Sequence, residues 1–271
     1  MSFERKQRIL FDDAAATYAS ARPGYPEALI DDAIRLAGVP PQGRILEVGC
    51  GPGNATIPLA KRGFEIVGIE LGEDLAALAQ AACLPYPNVR IDHAAFEDWP
   101  LPTEPFDLVF SASAFHWIDA TVGYAKAAKA LTPSGAIALC WNRHPPDESR
   151  MRRALDPIYQ SIAPELTGKG GAEPFSATLQ RPIDELKASG CFGEVVTRSY
   201  EWSAEYAADE YVRLLHTYSD HLALPGKTLQ ALCSAVREAI ERNGGVLQRP
   251  YLSVLYLAHV GRRQRCSTPS A

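Results

Sequence analysis

Between Gly43 and Asn142 the chain alternates short apolar runs with stretches in which apolar residues return every three or four positions. RILEVG (44–49), FEIVGIEL (64–71), NVRIDHA (88–94), FDLVFSAS (106–113) and GAIALCW (135–141) read as strands buried on both faces. The intervening NATIPLAKRG, GEDLAALAQAA and DATVGYAKAAKALT carry helical spacing. Asp119 is suited to cap the third, and Pro58 falls in the opening turns of the first, where a kink is tolerable. Strand and helix in alternation predict an α/β fold, a doubly wound, mostly parallel sheet with helices on both faces.

Beyond Trp141 the pattern loosens. NRHPPDESR reads as a loop, 151–166 as a helix broken at Pro157, and 168–178 as a flexible crossing. A helix resumes over 182–189, and 193–203 reads as a strand. A long helical insertion spans 207–243, punctuated at Pro225-Gly226 and ended by Gly244-Gly245, before a last strand at 249–263. The strands total seven, with helical insertions capping them. The first forty residues form a separate element in which ARPGYP (21–26) turns before a helix at 27–37. The expected organisation is an N-terminal helical cap segment (1–40), a ligand-binding core (41–143), substrate-side insertions with C-terminal strands completing the same domain (144–263), and a flexible polar tail (264–271).

Composition removes several function classes. With 46% hydrophobic and 22% charged residues over 271 positions, the chain can bury a sizeable core and is not disordered. A net charge of −5 without a Lys/Arg run disfavours a nucleic-acid partner, and no apolar run is long enough to span a membrane. MSFERKQRILFDDAA mixes charges of both signs and lacks the apolar core of a signal peptide. The six cysteines form no C-x-x-C pair and have no histidine at ligand spacing, so free thiols in a reducing, cytoplasmic compartment and no metal site are expected.

The chemistry concentrates at EVGCGPGN (47–54). Gly49, Gly51 and Gly53 sit where a first strand hands over to its helix, the end at which open parallel sheets bind ligands. Glycines there let the backbone approach a ligand closely. The pattern is not G-x-G-x-x-G: Asn54 stands where a third dinucleotide glycine belongs, and Pro52 removes an amide that would cradle a pyrophosphate. Glu47 would repel phosphates and attract an ammonium group. Glu70 ends the second strand, where an acid hydrogen-bonds ribose hydroxyls. Together these residues describe a cationic nucleoside without phosphates.

The ordered set resembles the class I S-adenosylmethionine-dependent methyltransferases. EVGCGPG and the acid at Glu70 are similar to the family's first two motifs, AAFEDWP (94–100) to its adenine-holding loop, and FDLVFSASAFHWID (106–119) to its fourth-strand motif. LTPSGAIALCW (131–141) resembles the segment leading into strand five, with Ser134 replacing a usual glycine. FDDAAATYASARPGYP and PYLSVLYLAHVGRR resemble the small-molecule branch near trans-aconitate methyltransferases. The core likeness covers roughly residues 10 to 142, with weaker likeness to Arg263.

The resemblance implies S-adenosylmethionine as cofactor, S-adenosylhomocysteine as product, a small-molecule methyl acceptor, and a monomer or homodimer. It implies cofactor contacts from Glu47, Gly49, Cys50, Gly51, Gly53 and Asn54, and from Glu70 and Leu71. Ala95 and Phe96 would flank adenine, with Glu97 a candidate for its amino group and Ser111, Ala112 and His116 near the methyl group. Tyr18 and Arg22 lie in an N-terminal segment expected to close over the cofactor, Arg22 pairing with the methionine carboxylate. Cys50 reads as packing with no group to activate its thiol. His116 is the candidate catalytic residue, as general base or as a hydrogen bond to substrate, and His144 is a second candidate. Trp141, Tyr218 and Tyr251 are expected to wall an apolar acceptor pocket. Two other classes share parts of the pattern, a cofactor-binding protein without catalysis and a nicotinamide oxidoreductase, the latter opposed by the misplaced third glycine.

Overall fold

The computed structural model describes residues 15–167 and 174–261. Seven strands form one sheet, as expected, and their order is β3-β2-β1-β4-β5-β7-β6. They are β1 (Arg44–Val48), β2 (Glu65–Glu70), β3 (Val89–His93), β4 (Phe106–Ala112), β5 (Leu131–Arg143), β6 (Val196–Ala207) and β7 (Val246–His259). The first five run parallel, and β7 pairs antiparallel with both β5 and β6. Strand order reverses beside β1, whose neighbours are β2 and β4, so their carboxyl ends splay around a crevice.

Helices α1 (Ala15–Ala21), α2 (Glu27–Ala37), α3 (Thr56–Lys61), α4 (Glu73–Cys83) and α5 (Ala120–Ala130) belong to the first half of the chain. Asp119 caps α5 as predicted, its carboxylate accepting from the Thr121 N–H. Two apolar layers sandwich the sheet. One gathers Leu46, Val109, Tyr124, Ile137 and Tyr256, the other Leu29, Ile45, Leu59, Phe110 and Leu255. Adjacent residues of one strand thus serve opposite layers, which is why the runs are apolar throughout.

The second half adds α6 (Arg150–Ile162), α7 (Phe175–Ala188), α8 (Ala208–Leu215), α9 (Ser219–Leu222) and α10 (Gly226–Arg242). Three expectations need correction. Helix α6 runs through Pro157 unbroken, because burying Leu155 and Tyr159 in a third apolar cluster offsets the lost backbone hydrogen bond. Helix α7 starts at Phe175 and contains Pro182, so 175–178 is not a flexible crossing; 168–173 lies outside the described residues, as does the tail at 264–271. The insertion is three helices, with a break at 216–218 that its apolar pattern hides.

The register of β7 extends the sheet past its parallel part. β5 pairs with β7 only as far as Arg143↔Leu252, whereas β6 follows β7 to Val246. Residues 246–251 of β7 therefore overhang the carboxyl edge of the parallel strands, on the ligand side of the sheet. Of the cysteines, Cys50, Cys83, Cys140 and Cys233 are buried free thiols, as expected. Cys191 is disulfide-bonded and departs from that expectation. No helix among the described residues is long and apolar enough to cross a membrane.

Candidate functional site

The glycine turn after β1 is built for close approach. Gly49, Gly51 and Gly53 have φ of 71°, 55° and 99°, in the left-handed region that side chains disfavour. A Cβ on Gly49 would also lie 2.4 Å from the Ala114 Cβ, so this residue has no room for one. Ser113, at the end of β4, is itself left-handed (φ 55°). Its N–H donates to the Cys140 carbonyl, and its hydroxyl accepts from Tyr25 Oη at 2.9 Å. Strain in a non-glycine residue held by two hydrogen bonds is a feature of functional sites.

A cleft opens over this turn as two joined cavities. The larger, about 240 Å³, is lined by Tyr18, Arg22, Gly49, Gly51, Glu70, Leu71, Phe96, Ala112, His116 and Trp117, among others. The second adds Glu47, Cys50 and Asn54, together with Tyr25, His144, Tyr218 and Tyr251. Most residues named from the sequence therefore converge. Four do not line the cleft: Gly53, Ala95, Glu97 and Ser111. Ser111 is buried, its hydroxyl donating to the Val48 carbonyl and tying β4 to β1. Ala95 faces inward while its neighbours Ala94 and Phe96 form the wall. Cys50 packs against Gly68, and burial holds its thiol far above the usual range, so it is no nucleophile.

Two carboxyl groups set the electrostatics. Glu47 is 1% exposed, and its Oε2 has no hydrogen-bond partner. Burial, opposed by the neighbouring Thr56 hydroxyl and reinforced by the Glu70 charge, pushes its pKa up to about 8. Glu70 accepts from the Gly51 N–H at 2.8 Å and the Gly72 N–H at 2.9 Å, so the end of β2 and the glycine turn are fastened together.

The N-terminal segment lies across the cleft. Tyr25 reaches Ser113, Asn142 donates to the Gly24 carbonyl, and Arg22 donates to the Thr217 carbonyl at 2.6 Å. The Arg22 guanidinium also stacks over the rings of Tyr18 and Tyr218 at 5.0 and 4.4 Å, and its Nε is buried without a partner.

His116 follows β4 in the short turn Phe115–Trp117. The Trp141 indole N–H donates to its Nδ1 at 3.1 Å. An indole can only donate, so Nδ1 is the acceptor and the proton sits on Nε2. Burial and the Arg143 and Arg181 charges bring its pKa down to about 4. The sequence left His116 open as a base, but its lone pair is committed to Trp141, and what remains is a hydrogen-bond donor. His144 behaves alike. Its Nδ1 accepts from Arg249 Nε at 3.2 Å, and burial with the Arg249 and Arg22 charges lowers its pKa to about 3.

Sequence reasoning missed Ser113, Ala114, Asn142 and Ser219 in the lining. The first two follow the named Ala112 directly, so the end of β4 was the available signal. Trp99, in the same loop as Phe96, belongs to the core: it is buried, and its indole donates to Asp92.

Comparison with known proteins agrees with this geometry. A family profile described as methyltransferase domain matches residues 45–135. An uncharacterized methyltransferase of Mycobacterium tuberculosis is 31% identical over 199 residues, covering 72% of this chain and 79% of the relative. Among solved structures, a proposed type II methyltransferase from Anaeromyxobacter dehalogenans superposes with a TM-score of 0.59 at 24% identity, over 89% of this chain and 97% of that one. A methyltransferase from Thiobacillus denitrificans, solved with S-adenosyl-L-homocysteine, gives 0.53 at 15% identity, over 93% and 98%. At these identities the structural matches speak for the fold alone.

Proposed function

The chain belongs to the class I S-adenosylmethionine-dependent methyltransferases, and from that premise we propose that it methylates a small molecule in the cleft above the glycine turn. The observation that carries this reading is the buried, partnerless Glu47 oxygen beside glycines that admit a ligand backbone-close. A buried carboxylate oxygen without a partner is costly unless a cation meets it. The amino group of the cofactor's methionine end is such a cation, and the residues present fit it.

When bound, the cofactor supplies a methyl group activated on a sulfonium. The chain's part is to hold and orient. Glu47 receives the amino group, and the Arg22 guanidinium receives the methionine carboxylate. Glu70, already fastened to the Gly51 amide, takes the ribose hydroxyls. Ala94 and Phe96 flank adenine. His116, as an Nε2–H donor held by Trp141, aligns the acceptor. Neither His116 nor His144 offers a free basic nitrogen, which favours positioning and water exclusion over proton abstraction. The enclosed cleft, walled in part by aromatic rings, and a net charge of −5 support a small-molecule acceptor over a nucleic acid. A cytoplasmic monomer or homodimer is part of the same reading, as is the assignment of 1–40 as a cap over the cofactor and of 144–263 to the acceptor side.

Calorimetry with S-adenosylmethionine, S-adenosylhomocysteine and NAD tests it. Binding of both adenosyl ligands and weak NAD binding are expected. Tight NAD binding with no response to the adenosyl ligands overturns it.

A further inference from the structure

A third cavity, about 340 Å³, lies outside the cleft, and His144 lines both. Its walls are largely apolar, formed by Met151, Leu155, Phe175 and Leu247. Three charged residues also line it, and two are engaged by neighbours. Asp147 accepts from the Ser149 N–H and hydroxyl, and Arg152 pairs with Asp156 at 2.7 Å. The third is Arg249, on the part of β7 that overhangs the sheet edge.

Arg249 is held by neutral groups only. Its Nε donates to His144 and its Nη1 to the Tyr211 hydroxyl, while its guanidinium lies over the rings of Tyr211, Tyr218 and Tyr251 at 5.4, 5.6 and 6.0 Å. Among the described residues no carboxylate pairs with it, and its Nη2 donates to none of them. The Tyr218 ring is shared by this cation and Arg22, the one facing the cofactor end of the cleft. A half-buried guanidinium without an anion, fixed in place by aromatic rings, is a preorganised receptor for one.

We propose that Arg249 anchors a carboxylate carried by the methyl acceptor, whose apolar body fills the cavity beyond His144. This rests on the cleft being the methyl-transfer site. The acceptor then reaches past His144, with its anionic end at Arg249 and its reacting atom in the cleft. A single uncommitted cation suits a monoanion, and the apolar walls suit a hydrocarbon or aryl body.

The test uses the full chain saturated with S-adenosylhomocysteine. Binding of benzoate, phenylacetate, cinnamate and hexanoate is compared with that of the corresponding amides and of phenyl phosphate. At least one carboxylate should bind about tenfold or more tighter than its amide, and Arg249→Gln should abolish that preference while leaving S-adenosylhomocysteine binding intact. Arg242→Gln removes a like charge from an exposed site and should change nothing. The wild-type comparison stands even if Arg249→Gln does not fold. Carboxylates and amides binding alike, a preference for phenyl phosphate, or a carboxylate preference that survives Arg249→Gln each overturn the proposal. Failure to bind S-adenosylhomocysteine at all instead overturns the assignment of the cleft.

Discussion

Replacing Glu47 by Gln should make the ligand-free protein more stable and its cofactor binding weaker. Glu47 is buried and its pKa lies at about 8, against 4.5 for a free side chain. In the unfolded chain the carboxyl loses its proton near pH 4.5, while in the folded chain it keeps it until about pH 8. The folded state thus holds more protons through that window, and stability falls as pH rises from 4.5 to 8. At ~1.4 kcal/mol per unit the ceiling is on the order of 4–5 kcal/mol, and relaxation around the site with the desolvated Gln amide reduces it to ~1–3 kcal/mol. Glu47→Gln should therefore raise Tm by roughly 2–6 °C at pH 8 and by little at pH 5.

Cofactor binding moves the other way. Meeting an ammonium group ionises Glu47, so the wild type should release up to about one proton on binding at pH 7, and the variant none. Calorimetry in buffers of different ionisation enthalpy reads the proton directly. Affinity for S-adenosylhomocysteine should drop about tenfold to a hundredfold. A variant less stable than wild type at pH 8, with unchanged affinity and proton release, would show that Glu47 is a structural acid facing no ligand cation.

Glu70→Ala should weaken cofactor binding by roughly tenfold to a hundredfold and lower Tm as well, because the Gly51 and Gly72 amides lose their acceptor. Gly49→Ala and Gly51→Ala both impose a left-handed alanine costing ~1–2 kcal/mol, but only the first also collides with Ala114, so thermal unfolding should rank it clearly lower. Once an acceptor is found, His116→Gln, which keeps a donor near the Nε2 position, should retain most turnover; a loss on the order of 10²–10⁴ would restore the general-base role. Turnover should also show no inflection between pH 6 and 8 from His116, whose pKa lies at about 4.

The parallel half of the fold was legible because its signals are local. Buried parallel strands must be apolar on both faces, and each of the five runs from RILEVG to GAIALCW became a strand. The glycine turn and Glu70 were legible for the same reason, since a left-handed turn after a strand needs glycine whatever surrounds it. Errors collected where a tertiary contact outweighs local preference. Pro157 and Pro182 sit inside helices whose apolar faces are buried, a fact that no window of neighbouring residues carries.

The same distinction explains His116. A histidine after a fourth strand reads equally as base or donor, because the deciding group, the Trp141 indole, is twenty-five positions away and arrives only when β5 lies beside β4. Arg249 is the stronger case. Its sequence neighbours, QRPY, describe an exposed strand end. Its setting comes from Tyr211 on α8, Tyr218 before α9 and His144 after β5, which meet because β7 overhangs the sheet edge. In the arrangement proposed above, cofactor recognition is built on one turn and one strand end, which a sequence can spell. The acceptor recognition we propose falls to side chains that the insertions bring together, and so depends on register and docking. An acceptor assigned from the parallel core alone would therefore leave out Arg249 and the rings around it.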